Sequence, residues 1–170
     1  VADSFNHQNA AIAVKNCSWG PTDDGTLGFI TALEEAAIQN AVTTGRGGLG
    51  TIVVFASGNG QTSQDNVNYD NYANQRHVIA VSATTDTGAA AWYSEPGACV
   101  LVNAPSSGGA GGIVTTDVVG AAGYAAGDYT FSFGGTSSAA PLAAGVIGLM
   151  LAANPSLTWR DVPHILVRSA

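Results

Sequence analysis

The amino-acid sequence predicts an α/β fold in which a mainly parallel sheet lies between helices. Three apolar runs, at residues 10–19, 51–56 and 78–83, are continuous rather than alternating, which is typical of strands in a sheet covered on both faces. A stretch with helical periodicity separates the first two runs. This strand–helix–strand order predicts parallel pairing, because parallel neighbours need a crossover connection.

The first half of the chain contains a complete strand–helix–strand unit. The strand at 10–19 ends in a turn rich in Gly, Pro and Asp, and a helix is predicted over 27–43. The apolar stripe of this helix is interrupted only by Glu34. A glycine-rich segment, 45–50, ends the helix before the buried strand at 51–56.

The second half combines a long irregular region with two helices. After a polar loop at 57–77 and the third strand, residues 84–135 are rich in Gly, Ala and Ser. The helix predicted at 138–153 is apolar almost all round and is therefore expected to be central, and Thr158 caps a final helix at 159–169. Aromatic and β-branched residues within the irregular region favour ordered hairpins over a linker, with short strands at 99–102, 113–115 and 129–133.

Composition excludes several classes of protein. The chain has 12 Asp and Glu but only 5 Lys and Arg, a formal charge of −7, which disfavours binding to the phosphate backbone of nucleic acids. No uninterrupted apolar run reaches the roughly 18 residues that span a bilayer, so no contact with a membrane is expected. An apolar content of 46% is too high for a disordered chain.

The two cysteines and three histidines form no metal-binding pattern. Cys17 and Cys99 could form a disulfide, but nothing local to them indicates one. Because Cys17 lies in an apolar run, we interpret it as a buried thiol of the first strand. No group of Cys and His residues has the spacing of a zinc site, so zinc is not expected.

The most specific segment is Gly134-Gly135-Thr136-Ser137-Ser138-Ala139-Ala140-Pro141. Ser137 lies where a glycine turn meets the start of an apolar helix, beside free backbone N–H groups that favour negative charge. That setting suits a nucleophile whose attack creates an oxyanion. A plain helix cap followed by proline would have the same sequence, so this segment alone leaves both interpretations open.

A second segment, Phe55-Ala56-Ser57-Gly58-Asn59-Gly60, ends the second strand. Open α/β sheets place their sites at the carboxyl ends of parallel strands, where the Asn59 amide could donate a hydrogen bond to an oxyanion. An ordinary Asn-Gly turn is the alternative interpretation. The two segments together are much more specific than either segment alone.

Together, these segments resemble the subtilisin-like serine proteases, and in particular the kexin/furin branch of proprotein convertases and its bacterial relatives. The resemblance covers almost the whole chain and implies a subtilisin-like three-layer fold that is incomplete in this chain. Further stretches also carry it: Ser18-Trp19-Gly20-Pro21-x-Asp23-Asp24-Gly25, 45–50, Asp65-x-x-Asn68-x-Asp70-x-Tyr72-x-Asn74, Trp92-Tyr93-Ser94-Glu95, 113–117 and Leu157-Thr158-Trp159-Arg160-Asp161.

The resemblance implies that Ser137 is the nucleophile and Asn59 the side-chain oxyanion donor. A catalytic triad also needs a histidine base and an aspartate that orients it, which this family carries in His-Gly-Thr and Asp-Gly settings. The chain has neither setting, and four candidates do not fit: His7, His77, His164 and Asp3. We therefore expect residues 1–170 to be the C-terminal portion of one catalytic domain, inactive without an N-terminal segment that supplies both residues.

The resemblance also implies an acidic substrate pocket. Carboxylates at the positions of Asp23 and Asp70 bind the basic side chain that precedes the scissile bond, because paired carboxylates match a guanidinium or an ammonium group. The backbone carbonyls of Pro21 and Ala56 contribute to the same pocket. The strand edge Ser18-Trp19-Gly20 pairs with the extended substrate backbone.

Three carboxylates are further implied as ligands of a calcium ion beneath this pocket: Asp23, Asp65 and Glu95. Hard oxygen ligands suit calcium, and the ion offsets repulsion among crowded acids. The chain departs from the family in two places. No acid closely follows the Asp-Asp-Gly turn, so no requirement for a basic residue four positions before the scissile bond is expected. The family's cysteine pair near the calcium loop is replaced by Val67 and Gly97.

The sequence therefore predicts a secreted serine endopeptidase, extracellular or periplasmic, that cleaves peptides and proteins after Arg or Lys, including dibasic sites. Its glycine and alanine content suggests a bacterial source. Two other functions remain open from the sequence. One is a catalytically inactive, calcium-stabilised peptide-binding module that lost the base, and the other is a calcium-stabilised structural domain.

Overall fold

A computed structural model describes residues 1–170 of the chain. Short 3₁₀ turns occupy Gly45–Gly48, Gln61–Ser63 and Val67–Tyr69. The helices and strands follow one another in this order: α1 (Ala2–Asn6), β1 (Val14–Cys17), α2 (Ala32–Thr44), β2 (Ile52–Ala56), β3 (Val78–Thr84), β4 (Val100–Pro105), β5 (Ile113–Thr116), β6 (Tyr129–Phe133), α3 (Thr136–Ala153) and α4 (Asp161–Ser169).

The main sheet contains four parallel strands in the order β1-β2-β3-β4, and β5 and β6 form a separate antiparallel hairpin. All residues of β2 are buried. Its side chains alternate between two cores: Ile52, Val54 and Ala56 pack with α3 and α4, whereas Val53 and Phe55 pack with α1 and α2. The predicted parallel sheet between helices is therefore confirmed, and its continuous apolar strands are explained by burial on both faces.

The first strand is shorter than predicted. β1 covers only Val14–Cys17, whereas the apolar run predicted a strand over 10–19, and the unpredicted helix α1 precedes it. The side chain of Lys15 explains the difference, because its ammonium group holds the segment after α1 close to β1. Its three N–H donors are shared among four acceptors that lie 2.6–3.0 Å from Nζ: the carbonyl oxygens of Ser4, Phe5 and His7 and Oδ1 of Asn9.

Helix α2 begins at Ala32 rather than at residue 27. Thr31 and Glu34 form a capping box in which the Thr31 hydroxyl accepts from the Glu34 amide, and the Glu34 carboxylate accepts from the Thr31 amide. Glu34, which interrupts the apolar stripe, is thus the residue that starts the helix. Leu27, predicted to lie on the buried stripe, is 64% exposed.

The remaining boundaries differ by a few residues. Helix α3 begins at Thr136, two residues before the predicted start, so Ser137 lies in its first turn. Helix α4 begins at Asp161, and the Thr158 hydroxyl and amide both donate to the Asp161 carboxylate in the turn before it. The short strands predicted in the irregular region are present, with β4 reaching Pro105 rather than ending at residue 102.

Helix α3 is long and apolar enough to cross a membrane by length and composition alone, with a mean hydropathy of 1.6 over 18 residues. Only 39% of the helix is buried, and Leu142, Val146 and Leu149 are exposed on its outer face. Its inner face packs against all four strands of the main sheet. We therefore interpret it as the central helix of this layer.

The capping box makes a prediction about stability. Thr31→Ala in the full-length protein removes the acceptor for the Glu34 amide, and we expect the free energy of unfolding to fall by about 1 kcal/mol. Urea unfolding measures this change. Thr43→Ala is the matched control, because the Thr43 hydroxyl donates only to carbonyls within α2. An equal effect of the two substitutions would show that the capping box does not stabilise α2.

Candidate active site

One pocket of about 150 Å³ collects every residue that the sequence assigns to catalysis or substrate binding. It lies at the carboxyl ends of β1 and β2, where the start of α3 meets them. Two residues that the sequence did not single out for a role, Gly58 and Thr136, also line it. The full lining is Ser18, Trp19, Gly20, Pro21, Asp23, Ala56, Gly58, Asn59, Asp70, Thr136 and Ser137.

Ser137 presents its hydroxyl at the first turn of α3. Gly135, the residue that caps the helix, has a φ of 76°, in the left-handed region that favours glycine. The Ser137 hydroxyl makes no capping hydrogen bond, so it is not the plain helix cap that the sequence left open. The Ser137 hydroxyl lies 3.4 Å from the carbonyl oxygen of Ser18. The Ser18 hydroxyl in turn donates to the carbonyl oxygen of Ser137 at 2.9 Å.

The Asn59 side chain has a defined orientation. Its Oδ1 accepts hydrogen bonds from the Thr136 amide at 2.8 Å and from the Thr136 hydroxyl at 3.1 Å. Because a backbone amide can only donate, the oxygen of Asn59 must face Thr136, and Nδ2 is left free to donate in the pocket. The backbone N–H of Asn59 donates to Oδ2 of Asp23 at 2.9 Å. These contacts reach across two segments, so Asn59 is more than a residue of a local turn.

Gly58 allows the loop after β2 to lie directly against the Glu95 carboxylate. Its φ is 97°, and a Cβ at this position would overlap with the Glu95 carboxylate. The sequence carries a signal for this residue, since a lone glycine between the end of a buried strand and a polar residue often marks close approach. Thr136 gives no such signal, because its partner Asn59 is distant in the sequence.

Three carboxylates, from Asp23, Asp65 and Glu95, lie together beside the pocket. Each contributes one oxygen, and the three oxygens are within 4.8 Å of one another. Glu95 is only 3% exposed and Asp65 only 8%, while Asp23 is exposed. One oxygen of Glu95 accepts from the Gly60 amide at 2.9 Å. Burial, together with the charges of the neighbouring aspartates, raises the pKa of Glu95 to about 7.

The donor set of this acidic cluster fits a hard divalent cation. All three groups are carboxylates, and no Lys or Arg side chain of the chain forms an ion pair with them. Carboxylates at this separation repel one another, and a bound cation would relieve both the repulsion and the cost of burying Glu95. The sequence grouped the same three residues, and the structure brings them together.

Asp70 lines the pocket close to Gly20. Its Oδ1 accepts from the Tyr72 amide at 2.8 Å, and its Oδ2 lies 3.0 Å from the position that a Cβ of Gly20 would occupy. Burial raises the pKa of Asp70, and the charges of Asp23 and Asp65 add to the effect. The pocket therefore has two carboxylates, those of Asp23 and Asp70, without a cationic partner.

Trp19 forms the rim of the pocket after β1. Its ring contacts Phe55 and Tyr72 edge to face, with centroid separations of 5.4 and 5.1 Å, and 44% of the residue is exposed. This packing fixes the segment 18–20 beside the pocket.

No histidine lines the pocket or hydrogen-bonds to Ser137. His77 packs against Trp159 at a centroid separation of 5.6 Å, and His164 lies in α4. Both cysteines are free thiols, and burial raises the pKa of Cys17 to about 12, as expected for a buried thiol in a strand.

The chain is similar to known proteins over its whole length. The model of the Subtilase family (peptidase S8) matches residues 1–170. Human proprotein convertase subtilisin/kexin type 4 is 45% identical over 172 residues, covering 99% of this chain and 22% of the human protein. Furin-like protease 1, isoform 1-CRR, of Drosophila melanogaster is 44% identical over 170 residues, covering 98% of this chain and 15% of the fly protein.

Solved structures show the same fold. The Aeromonas sobria serine protease, in its complex with the chaperone ORF2, superposes with a TM-score of 0.82 at 23% identity, over 93% of this chain and 33% of that protein. A Pseudoalteromonas arctica protease gives a TM-score of 0.74 at 26% identity, over 99% of this chain and 50% of that protein. The chain thus spans about a fifth of the human relative and a third to a half of these structures.

The contact between Gly58 and Glu95 makes a prediction about stability. Gly58→Ala in the full-length protein adds a strained φ and a clash with a buried carboxylate, and we expect it to cost about 2–4 kcal/mol of unfolding free energy. Gly88→Ala is the matched control, because Gly88 has a φ of 79° with open space around it. We expect the control to cost about 1 kcal/mol. Equal losses in thermal or urea unfolding would argue against the steric role.

Proposed function

The chain belongs to the subtilase family of serine proteases, and from this membership we propose that the full-length protein is a serine endopeptidase that cleaves after basic residues. One observation carries the proposal: a single pocket contains the Ser137 hydroxyl, the free Nδ2 of Asn59 and the unpaired carboxylates of Asp23 and Asp70. A nucleophile, an oxyanion donor and an acidic specificity pocket are the parts that such an enzyme needs.

In this proposal Ser137 attacks the carbonyl carbon of the scissile bond. The hydroxyl proton passes to a histidine base, and the carbonyl oxygen becomes an oxyanion. The Nδ2 group of Asn59 donates to that oxygen, and the unpartnered N–H of Ser137 at the start of α3 favours its negative charge. The base then gives the proton to the leaving amine as the C–N bond breaks. Water next attacks the acyl-enzyme and passes a proton to the same base, which returns it to the Ser137 oxygen as the carboxylic acid product leaves.

We propose that the histidine and aspartate of the triad come from a part of the protein N-terminal to these 170 residues. The support is geometric, since no histidine of this chain reaches Ser137. In addition, β1 has a neighbour on one edge only, and an apolar groove of about 460 Å³ lies beside it. An additional strand or helix in that groove would cover apolar side chains of Val1, Ile12, Val14 and Trp19.

The substrate would bind along the segment 18–20 and insert its basic side chain into the pocket. A guanidinium or ammonium group there would lie between the carboxylates of Asp23 and Asp70, and charge-assisted hydrogen bonds would compensate both. Pro21 and Ala56 line the same pocket and could offer backbone carbonyls to the cation. The backbone of Ser18 to Gly20 would pair with the extended peptide.

We propose that the acidic cluster of Asp23, Asp65 and Glu95 binds calcium. The all-carboxylate donor set supports a hard cation. Asp23 lines both this cluster and the substrate pocket, so the ion would help to fix the position of a carboxylate that contacts the substrate. A calcium-dependent protease of this family is expected outside the cell, and we propose that the protein is exported.

The inactive peptide-binding module would keep the pocket and the cluster but lack the base. Family membership among proteases does not favour it. The calcium-stabilised structural domain does not explain why Ser137 and Asn59 converge on the pocket.

Labelling tests the nucleophile directly. We expect diisopropyl fluorophosphate to modify the full-length protein and to stop cleavage of a peptide amide that ends in arginine, because the base activates only one hydroxyl. Ser137→Ala abolishes both the labelling and the cleavage. The control, Ser132→Ala on the exposed strand β6, leaves labelling and cleavage unchanged. Absence of labelling in the unmodified protein would support the peptide-binding module, and labelling that persists in Ser137→Ala would refute the assignment.

Two further substitutions separate the pocket from the cation site. Asp70→Asn should lower the preference for arginyl over norleucyl substrates, measured as a ratio of kcat/KM, by about 10- to 100-fold, the cost of one charge-assisted hydrogen bond. Asp23→Asn should lower this ratio and also weaken calcium binding in calorimetry, because Asp23 belongs to both groups. Asp86→Asn, in the loop after β3, is the control and should change neither. Unchanged arginine preference in both pocket variants would exclude the pocket assignment.

A further inference from the structure

We infer that three buried hydroxyl groups, those of Tyr93, Ser106 and Ser138, position the oxyanion donor through the carbonyl group of Gly135. The inference rests on the proposed function, because it concerns the site at which Ser137 would react. These are positioning residues, since none of the three lines the substrate pocket. We call them the hydroxyl cluster.

The hydroxyl cluster is compact and almost completely buried. Tyr93, Ser106 and Ser138 are 6%, 4% and 2% exposed. The Tyr93 hydroxyl lies 2.9 Å from Oγ of Ser106 and 2.8 Å from the carbonyl oxygen of Ser107. The Ser106 and Ser138 hydroxyls are 2.6 Å apart. Both also lie within hydrogen-bond distance of the Gly135 carbonyl oxygen, at 2.7 and 3.1 Å respectively.

Counting protons shows how the cluster acts on Gly135. Each hydroxyl can donate once, and the single proton of Tyr93 is directed to either Oγ of Ser106 or the carbonyl oxygen of Ser107, not to Gly135. Only one of the two serines can donate to the other. When Ser138 donates to Ser106, the proton of Ser106 is left for the Gly135 carbonyl. When Ser106 donates to Ser138, the proton of Ser138 is left for the Gly135 carbonyl. In every arrangement without an unused proton, the Gly135 carbonyl receives at least one hydrogen bond.

The Gly135 carbonyl belongs to the same peptide unit as the Thr136 amide. Because the peptide unit is planar, fixing its C=O bond also fixes the direction of its N–H bond. That N–H donates to Oδ1 of Asn59 at 2.8 Å, and this hydrogen bond decides which way the Asn59 amide faces. The hydroxyl cluster thus holds the C=O side of the peptide unit, and the N–H side of the same unit holds Asn59.

The backbone at Gly135 explains why an additional support matters. Glycine has access to many backbone conformations, and at a φ of 76° no side chain restricts this one. The Gly135 carbonyl also accepts from the backbone amide of Ser138 at 3.1 Å, so the start of α3 holds this peptide in part. The hydroxyl cluster adds a second support, and without it the donor contact from Thr136 to Asn59 would be less firmly fixed. The three hydroxyls come from separate places in the chain: Tyr93 follows β3, Ser106 follows β4, and Ser138 lies in α3.

Kinetics of the full-length protein test the inference with two conservative variants, Tyr93→Phe and Ser138→Ala. We expect each to lower kcat by about tenfold, the effect of a lost buried hydrogen bond, while KM changes less than about twofold, since no substrate contact is removed. Thr51→Val is the control. Thr51 is also fully buried, with its hydroxyl on the Ile12 carbonyl, but it precedes β2 at the opposite end from Asn59.

A double-mutant comparison separates positioning from general destabilisation. In an Asn59→Ala background the donor is absent, so Tyr93→Phe and Ser138→Ala should change kcat by less than about twofold. The inference is wrong if the two variants lower kcat equally with and without Asn59, or if they behave like Thr51→Val. Ser137→Ala distinguishes this failure from failure of the proposed function. If Ser137→Ala retains full activity, both the proposed function and the inference are excluded, whereas an essential Ser137 with silent hydroxyl variants excludes the inference alone.

Discussion

The site depends on one chain of hydrogen bonds that passes through Asn59. The backbone amide of Asn59 donates to Asp23, and its side-chain oxygen accepts from Thr136. Asp23 lies in the turn after β1, Asn59 follows β2, and Thr136 starts α3, so this short chain joins three elements at one point. The position of a free Nδ2 beside the Ser137 hydroxyl follows from these contacts. Gly58 makes the arrangement possible, because a side chain there would overlap with Glu95.

Charge gives the same region a second constraint. The chain has few charged residues, yet four carboxylates lie around the pocket and its acidic cluster: Asp23, Asp65, Asp70 and Glu95. Burial raises the pKa values of Glu95 and Asp70, and their neighbours raise them further. Such crowding opposes folding unless cations compensate it. In our proposal a calcium ion compensates the cluster, and the basic side chain of the substrate compensates the pocket.

The sequence predicted the sheet well, because strands buried on both faces are apolar without interruption. It misplaced the start of α2, since an apolar stripe does not reveal the capping box of Thr31 and Glu34. It missed α1, because α1 and the segment after it are held by tertiary hydrogen bonds from the Lys15 ammonium group. Its grouping of pocket and cluster residues came from motifs rather than from periodicity. The hydroxyl cluster could not be anticipated, because its members are far apart in the chain and none belongs to a recognisable pattern.

The most direct test of the account is a crystal structure of the full-length protein bound to a peptide boronic acid that ends in boroarginine. The tetrahedral boronate on Ser137 imitates the oxyanion. The account predicts that Nδ2 of Asn59 lies about 3 Å from a boronate oxygen while Oδ1 still accepts from Thr136. It also predicts the guanidinium between Asp23 and Asp70. An Asn59 amide turned away from the boronate, with its oxygen no longer on Thr136, would contradict the central claim.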